Sequence, residues 1–298
     1  MLKFGRNYSL TFMGGASGPL ITVDPPLTLE FDSTRSIYGS ANLFSLRIFN
    51  LSEAKRDAIR RDELSFQPGS FTDFEPVTLQ AGYGDQLSTV ITGSVLHAWT
   101  VREGVDYITE VDGWDAGFAF ADAVTQGAFT ANQSPQQIIN SLVENLSNAP
   151  FYGLSVGSIS QNYSNVKAPR GTSYSGGATD ILKEVTQNGF FIDNGVIHCL
   201  QDNECIEGEA LVINAQTGLI GTPLYEKTVV HIDMLFDPRV KMAQLVFLQS
   251  ETQPRFNGYY KVVSIHNKGT ISEAVCGTAI TSLGLVNGTF SLVPTLGI

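Results

Sequence analysis

A chain of 298 residues has room for two or three domains, each with a core of its own. Its 43% hydrophobic and 16% charged residues exclude a disordered chain, and no run reaches the roughly 18 apolar residues of a membrane helix. A formal net charge of −11 argues against direct nucleic-acid binding, which needs clustered Lys and Arg against phosphate.

The N-terminus, MLKFGRNYSLTFMGG, alternates like a strand and lacks a sustained apolar segment, so no signal peptide is expected. Strand signals cover Tyr8 to Phe12, Leu20 to Val23 and Leu27 to Phe31. Between the first two, Gly14-Gly15-Ala16-Ser17-Gly18 reads as a turn. A phosphate loop would need Lys-Ser/Thr and a following helix, whereas Pro19 and a strand follow here. Asn42 to Phe49 is another strand, with Phe44, Leu46 and Ile48 on one face and Leu43, Arg47 and Phe49 on the other. Ser52 offers a cap for a short helix over 53–61, whose apolar stripe is Ala54, Ala58 and Ile59. Its basic residues Lys55, Arg56, Arg60 and Arg61 alternate with Glu53, Asp57, Asp62 and Glu63 and read as a solvated face.

A strand-rich hairpin block, Val77 to Gly113, closes this first unit, and a loosely similar block returns at Ala243 to Thr278. In each, an alternating strand leads through a polar turn to a glycine, Gly93 or Gly258, that opens the next strand. Gly104 or Gly269 then turns the chain into a third strand.

Between the blocks the texture changes. Ser134 and Pro135 start a helix over about 135–147, with Ile138, Ile139, Leu142, Val143 and Leu146 on its buried face. A Gly/Ser/Asn-rich stretch over 152–177 precedes a second helix over 178–187, ended by left-handed capping at Asn188-Gly189. Phe190 to Leu200 then forms a hairpin about Asp193-Asn194-Gly195. Strands follow at Ala210 to Ile213, Val229 to Ile232 and Gln244 to Leu248. The expected organisation is a first β-barrel domain over 1–113, an α/β module over 114–204 and a second β-barrel domain over 205–298. The fold class is mainly β, α+β in arrangement.

No residue set carries chemistry. Glu110, Asp112 and Asp115 lie close in sequence, but Asp115 is expected in a surface turn and no positioned partner accompanies them. His198, Cys199 and Cys205 lack a second CxxC or HxxxH, and alternation puts His198 and Cys199 on opposite strand faces. His97, His231 and His266 stand alone in strands, with no G-x-S-x-G motif to serve. Catalytic, cofactor-binding and metal sites are therefore read as none. Three cysteines make no disulfide framework, and synthesis in a reducing cytoplasm is the simpler expectation. The segment Thr217 to Pro223, with Leu219-Ile220 between glycines, packs under a barrel rim or contacts another subunit.

In order, Ile48-Phe-Asn-Leu51, Val77 to Tyr83, Ile91-Thr-Gly93, Ile181 to Val185, Asn188-Gly189-Phe190, Thr217 to Pro223 and Asn257 to Val262 resemble baseplate hub proteins of contractile-tailed bacteriophages. The resemblance spans about 5–285. It implies two barrel-like domains of tail-tube type and a homotrimeric ring of pseudo-sixfold symmetry. Such a ring joins the hexameric tail tube above to the trimeric spike below, among other baseplate proteins, and lets DNA through its lumen. It further implies a structural virion protein of the tail baseplate, not an enzyme, with no cofactor and no membrane insertion. An acidic lumen would keep DNA phosphates from sticking. Two other readings stay open. One is a carbohydrate-binding or glycan-cleaving β protein, with Trp99, Trp114 and tyrosines as platforms and Glu110 and Asp112 as acids; the other is the hub of a DNA-free contractile injection system.

Overall fold

Alternating strands dominate the chain, and the computed structural model describes residues 5–13, 20–38, 41–60, 76–148, 153–165 and 170–295. The first unit contains β1 (Arg6–Met13), β2 (Leu20–Val23), β3 (Leu29–Ser36), β4 (Asn42–Phe49), α1 (Glu53–Ile59), β5 (Pro76–Tyr83), β6 (Gln86–Glu103) and β7 (Asp106–Asp115). The middle segment contains α2 (Gly117–Asp122), β8 (Val124–Phe129), α3 (Pro135–Ser147), β9 (Ser155–Ile159), β10 (Thr172–Gly177), α4 (Ala178–Val185), β11 (Phe190–Asp193) and β12 (Val196–Cys199). The last part holds β13 (Glu204–Ile213), β14 (Leu219–Glu226), β15 (Val229–Leu235), β16 (Gln244–Leu248), β17 (Gly258–Ile271), β18 (Ala279–Asn287) and β19 (Ser291–Val293). The fold is mainly β, as the pattern of alternation requires.

One 14-stranded sheet runs through both ends of the chain, in the order β14-β15-β18-β17-β3-β4-β7-β6-β5-β1-β2, with β16 beside β17 and β13 beside β16 and β19. Its bridge is the antiparallel β3–β17 ladder, from Leu29 opposite Ile271 to Ser36 opposite Ser264. The middle segment has its own small sheets, β8–β10 and β9–β12–β11.

Three apolar clusters underlie this layout. Leu10, Phe12, Leu29, Leu46, Ile48, Leu79 and Val111 centre the first. Ile232, Met234, Val246, Val262, Ile265 and Leu283 centre the second. Ile139, Leu142, Leu182, Phe190 and Ile197 centre the third, so α3 and α4 bury the faces their 3.6-residue spacing selects. Phe236 crosses between units: it follows β15 but is buried in the first cluster, 5.2 Å from the Phe31 ring centroid. The Tyr83 hydroxyl donates to its carbonyl at 2.9 Å.

Several local expectations need correction. Ser52 and Ser134 occupy the N-cap positions of α1 and α3, yet neither side chain makes a capping hydrogen bond. The first helix ends at Ile59, and residue 61 lies outside the described residues, as does the turn Gly14-Gly15-Ala16-Ser17-Gly18. The second ends at Val185, and the left-handed residues after it are Gln187 and Asn188 rather than Gly189. Gly189 is needed for space instead, because a Cβ there would sit 2.0 Å from the Leu200 carbonyl oxygen. The Gly/Ser/Asn-rich stretch contains β9 and β10, whose strand character comes from pairing rather than from apolar alternation.

Candidate functional site

The sheet contains one strand arrangement twice. In the first half the spatial order β3-β4-β7-β6-β5 carries strands in chain order 3 to 7; in the second, β14-β15-β18-β17-β16 repeats both orders. The likeness extends to irregularities. β6 and β17 each carry a one-residue bulge against the strand that follows, at Leu96 and at Val263. Aligning the bulges places Thr100 and Thr109 on Asn267 and Thr281. The first pair of hydroxyls lies 3.2 Å apart, and Thr281 donates to the Asn267 side chain at 2.7 Å.

The two hairpin blocks therefore match over two strands, β5–β6 and β16–β17; the first block also contains most of its third strand, β7, whereas the second ends at Thr278, just short of β18. Their sequence register was two residues off. Gly93 lies inside β6 and matches Tyr260, whereas Gly258 opens β17. Gly104 turns the chain with φ of 62°, but Gly269 lies within β17 between Phe31 and Ala279, and the third strand begins only at Ala279.

The joint between the two units is ionic on its open face. Asp32 on β3 meets His266 Nε2 at 2.7 Å and Lys268 Nζ at 3.1 Å, both on β17. Burial alone would raise the Asp32 carboxyl; hydrogen bonds and charge from His266 and Lys268 outweigh it and hold the group below its usual value. Beside it, Arg47 reaches Glu30 at 3.0 Å and Glu110 at 3.3 Å. Glu30, Asp32, Arg47, Asp233, His266 and Lys268 line one shallow basin.

The turn Asp193-Asn194-Gly195 anchors the middle segment to both units. Its left-handed Asn194 and Gly195 form the tight hairpin that the sequence signals. Arg35 Nη1 donates to Asp193 Oδ1 at 2.7 Å in a buried ion pair, and the Met242 amide donates to Asp193 Oδ2 at 3.2 Å. The Thr92 amide donates to the Asn194 side chain at 3.0 Å, and the Gly195 amide donates to Asp115 Oδ1 at 2.9 Å. Asp115 is thus the last residue of β7 and buried, not a surface-turn residue. Burial first, then the nearby Asp193 charge, push its carboxyl up to about 7. Sequence reasoning missed this locus because its members are scattered from residue 35 to 242.

The remaining candidates are dispersed. Glu110 and Asp112 share a strand face, and Glu110 is engaged by Arg47. Trp99 is half-buried on β6, and Trp114 packs where a Cβ on Gly117 would lie 1.9 Å from its ring. Cys199 is fully buried in the third cluster, Cys205 is buried, and Cys276 is exposed. His198 stacks on Phe191 with ring centroids 5.0 Å apart and accepts the Ser158 amide at 3.1 Å. Burial holds its imidazole down to about 4. His97, His231 and His266 occupy strands β6, β15 and β17. No group of three or more His, Cys, Asp or Glu among the described residues is arranged to hold a metal ion. Of the segment Thr217 to Pro223, Leu219 packs against the second cluster, and Ile220 is 40% exposed on β14, the edge of the sheet.

This duplicated, strand-joined architecture is the fold of phage tail proteins. The chain is similar to the 43 kDa tail protein of prophage MuSo2 from Shewanella oneidensis, with a TM-score of 0.60 and 11% identity over 94% of this chain and 96% of that one. The tail protein of Neisseria meningitidis MC58 is similar at 0.59, with 10% identity over 95% and 97% of the two chains. An Escherichia coli component of the type VI secretion system, with structural similarity to the T4 bacteriophage tail proteins gp27 and gp5, matches at 0.57, with 8% identity over 95% and 79%. No curated protein matches the chain by sequence. The family model for baseplate hub gp41 matches residues 10–268, and the chain belongs to that family of structural baseplate proteins.

Proposed function

We propose that three copies of this chain close a ring of pseudo-sixfold symmetry that joins a hexameric tail tube to a trimeric spike and lets DNA pass. The observation that carries it is the repeat of one five-strand unit within one chain, already joined edge to edge by the β3–β17 ladder. Three copies then supply six such units, which is how a threefold body meets a sixfold tube. In this reading residues 1–113 and 205–298 form the two tube-type barrel domains, and 114–204 form a module on the outside. Tail components, the tube and spike proteins first, are its partners, and its place is the virion tail baseplate. Its role is structural, without catalytic turnover.

The open face of the sheet supports passage of DNA. Glu30, Asp32, Glu110 and Asp233 outnumber Arg47 and Lys268 around the β3–β17 joint. Such a face, turned to the lumen, repels phosphate and keeps the genome mobile. The likeness to a type VI secretion component adds a second reading, the hub of an injection device without DNA. Native mass spectrometry of the purified chain tests the ring: a species at three times the 32.2 kDa chain mass is expected, and a monomer at every concentration overturns it.

A further inference from the structure

Which edges join one copy to the next follows from the repeat itself. Inside the chain, the first strand of one unit, β3, lies against the C-terminal half of the other unit's β17. Among the described residues neither counterpart of these surfaces has a strand laddered to it. β14, the counterpart of β3, ends the ladder path of the sheet. β6, the counterpart of β17, pairs with β5 only as far as Ser94, so Ala98 to Glu103 are laddered to β7 alone. We propose that β14 of one copy pairs antiparallel with the free half of β6 in a second copy, in the register of the β3–β17 joint. This rests on the ring reading and names its seam.

The ladders fix the register. On β15, His231 and Val230 match Ser45 and Phe44 of β4, which places their partners Leu224 and Tyr225 on Asp32 and Ser33. The aligned bulges place Val101, Thr100 and Trp99 on Lys268, Asn267 and His266. Since Asp32 lies opposite Lys268 and Ser33 opposite Asn267, Leu224 falls opposite Val101, and Tyr225 opposite Thr100. Trp99 then takes the diagonal place beside Leu224, where His266 contacts Asp32.

Burial at matched positions points the same way. Asn267 is 0% exposed beneath β3, whereas Thr100, with the same cross-strand hydroxyl contact, is exposed. Val263 is 3% exposed and its counterpart Leu96 39%; Ser33 is 2% exposed and its counterpart Tyr225 56%; Leu224 reaches 64%. At these positions the unladdered edges show to water what the occupied joint covers, while Val101 is half-buried where its counterpart Lys268 is exposed. Their chemistry also differs from that joint in a directed way. Where Asp32, His266 and Lys268 form an ion cluster, the seam has Leu224, Trp99 and Val101. An apolar row supplies association with a second copy through area removed from water. Around the ring, polar joints within copies alternate with apolar seams between them.

The test transplants the inner joint into the seam. Leu224→Asp alone and Val101→Lys alone are expected to raise the concentration at which rings dissociate at least tenfold, read by mass photometry of the full chain. The double variant, which copies the Asp32–Lys268 pair, is expected to recover most of that loss. Both positions lie on strand edges, and circular dichroism of each variant checks that it folds. In a Cys276→Ser background, Tyr225→Cys with Thr100→Cys is expected to give disulfide-linked trimers under oxidation, and neither single cysteine to do so. Rings that form normally without crosslinking, or a double variant as weak as both singles combined, overturn the seam while leaving the ring reading intact. A wild-type chain that is monomeric throughout, with no crosslink, overturns both.

Discussion

The two five-strand units of this sheet share chain order, spatial order and a bulge, and they differ most at their edges. β3 meets β17 through Asp32, His266 and Lys268, while β14 and the free half of β6 carry Leu224, Tyr225, Val101 and Trp99. Topology is kept where the backbone ladder needs it; side chains diverge with the task of each edge. A joint inside one chain forms at the high effective concentration that the intervening chain provides, so ionic contacts worth little at a surface suffice. A joint between copies must supply its own affinity.

The largest effect is expected at the anchor that both units share. Arg35→Ala leaves Asp193 buried without its partner beside buried Asp115, and a loss of about 3–5 kcal/mol in urea unfolding is expected. Phe236→Ala removes the ring that the second half contributes to the first core. A loss of about 3–5 kcal/mol is expected, together with faster amide exchange along β3 and β17.

Protonation comes next. Asp115 has its folded value raised to about 7, so its contribution to stability is full below the usual carboxylate range and is lost as pH rises through 7. Asp115→Asn keeps an acceptor for the Gly195 amide and is expected to stabilise the chain at pH 8 by about 2 kcal/mol, with a smaller gain at pH 5. His198 runs the other way. Its value is depressed to about 4, so its contribution is present above the usual histidine value and fades as pH falls from there to 4. His198→Gln is expected to flatten that acid limb in thermal melts at pH 4, 5 and 7. The smallest effect belongs to the ionic joint: Asp32→Asn is expected to cost about 0.2–1 kcal/mol at low salt and less at high salt, by melting temperature across ionic strength.

Strand alternation made most of the sheet legible. Phe44, Leu46 and Ile48 announce the buried face of β4, and Ser134-Pro135 with Ile139, Leu142, Val143 and Leu146 announces α3. The repeat of β5–β6 in β16–β17 is legible too, but its third strand, β18, lies beyond Thr278, and Gly93 and Gly258 do not match in the ladders. Gly269 serves a close ladder contact rather than a turn, and a Cβ there would meet Ala279 at 2.6 Å. Asp115 reads as a turn acid because it follows Gly113-Trp114, and only long-range packing against residues 193–195 buries it. The edge role of Leu219-Ile220 and the matching of Leu224 to Asp32 need the ladders, since sequence carries no record of which strand lies beside which.

Placement of strands in the assembled particle by cryo-electron microscopy tests the central claim most directly. The expected result is a threefold ring in which each chain occupies two of six similar positions, with β14 of one copy beside Ala98 to Glu103 of the next. A ring of six chains, each supplying a single position, would contradict it.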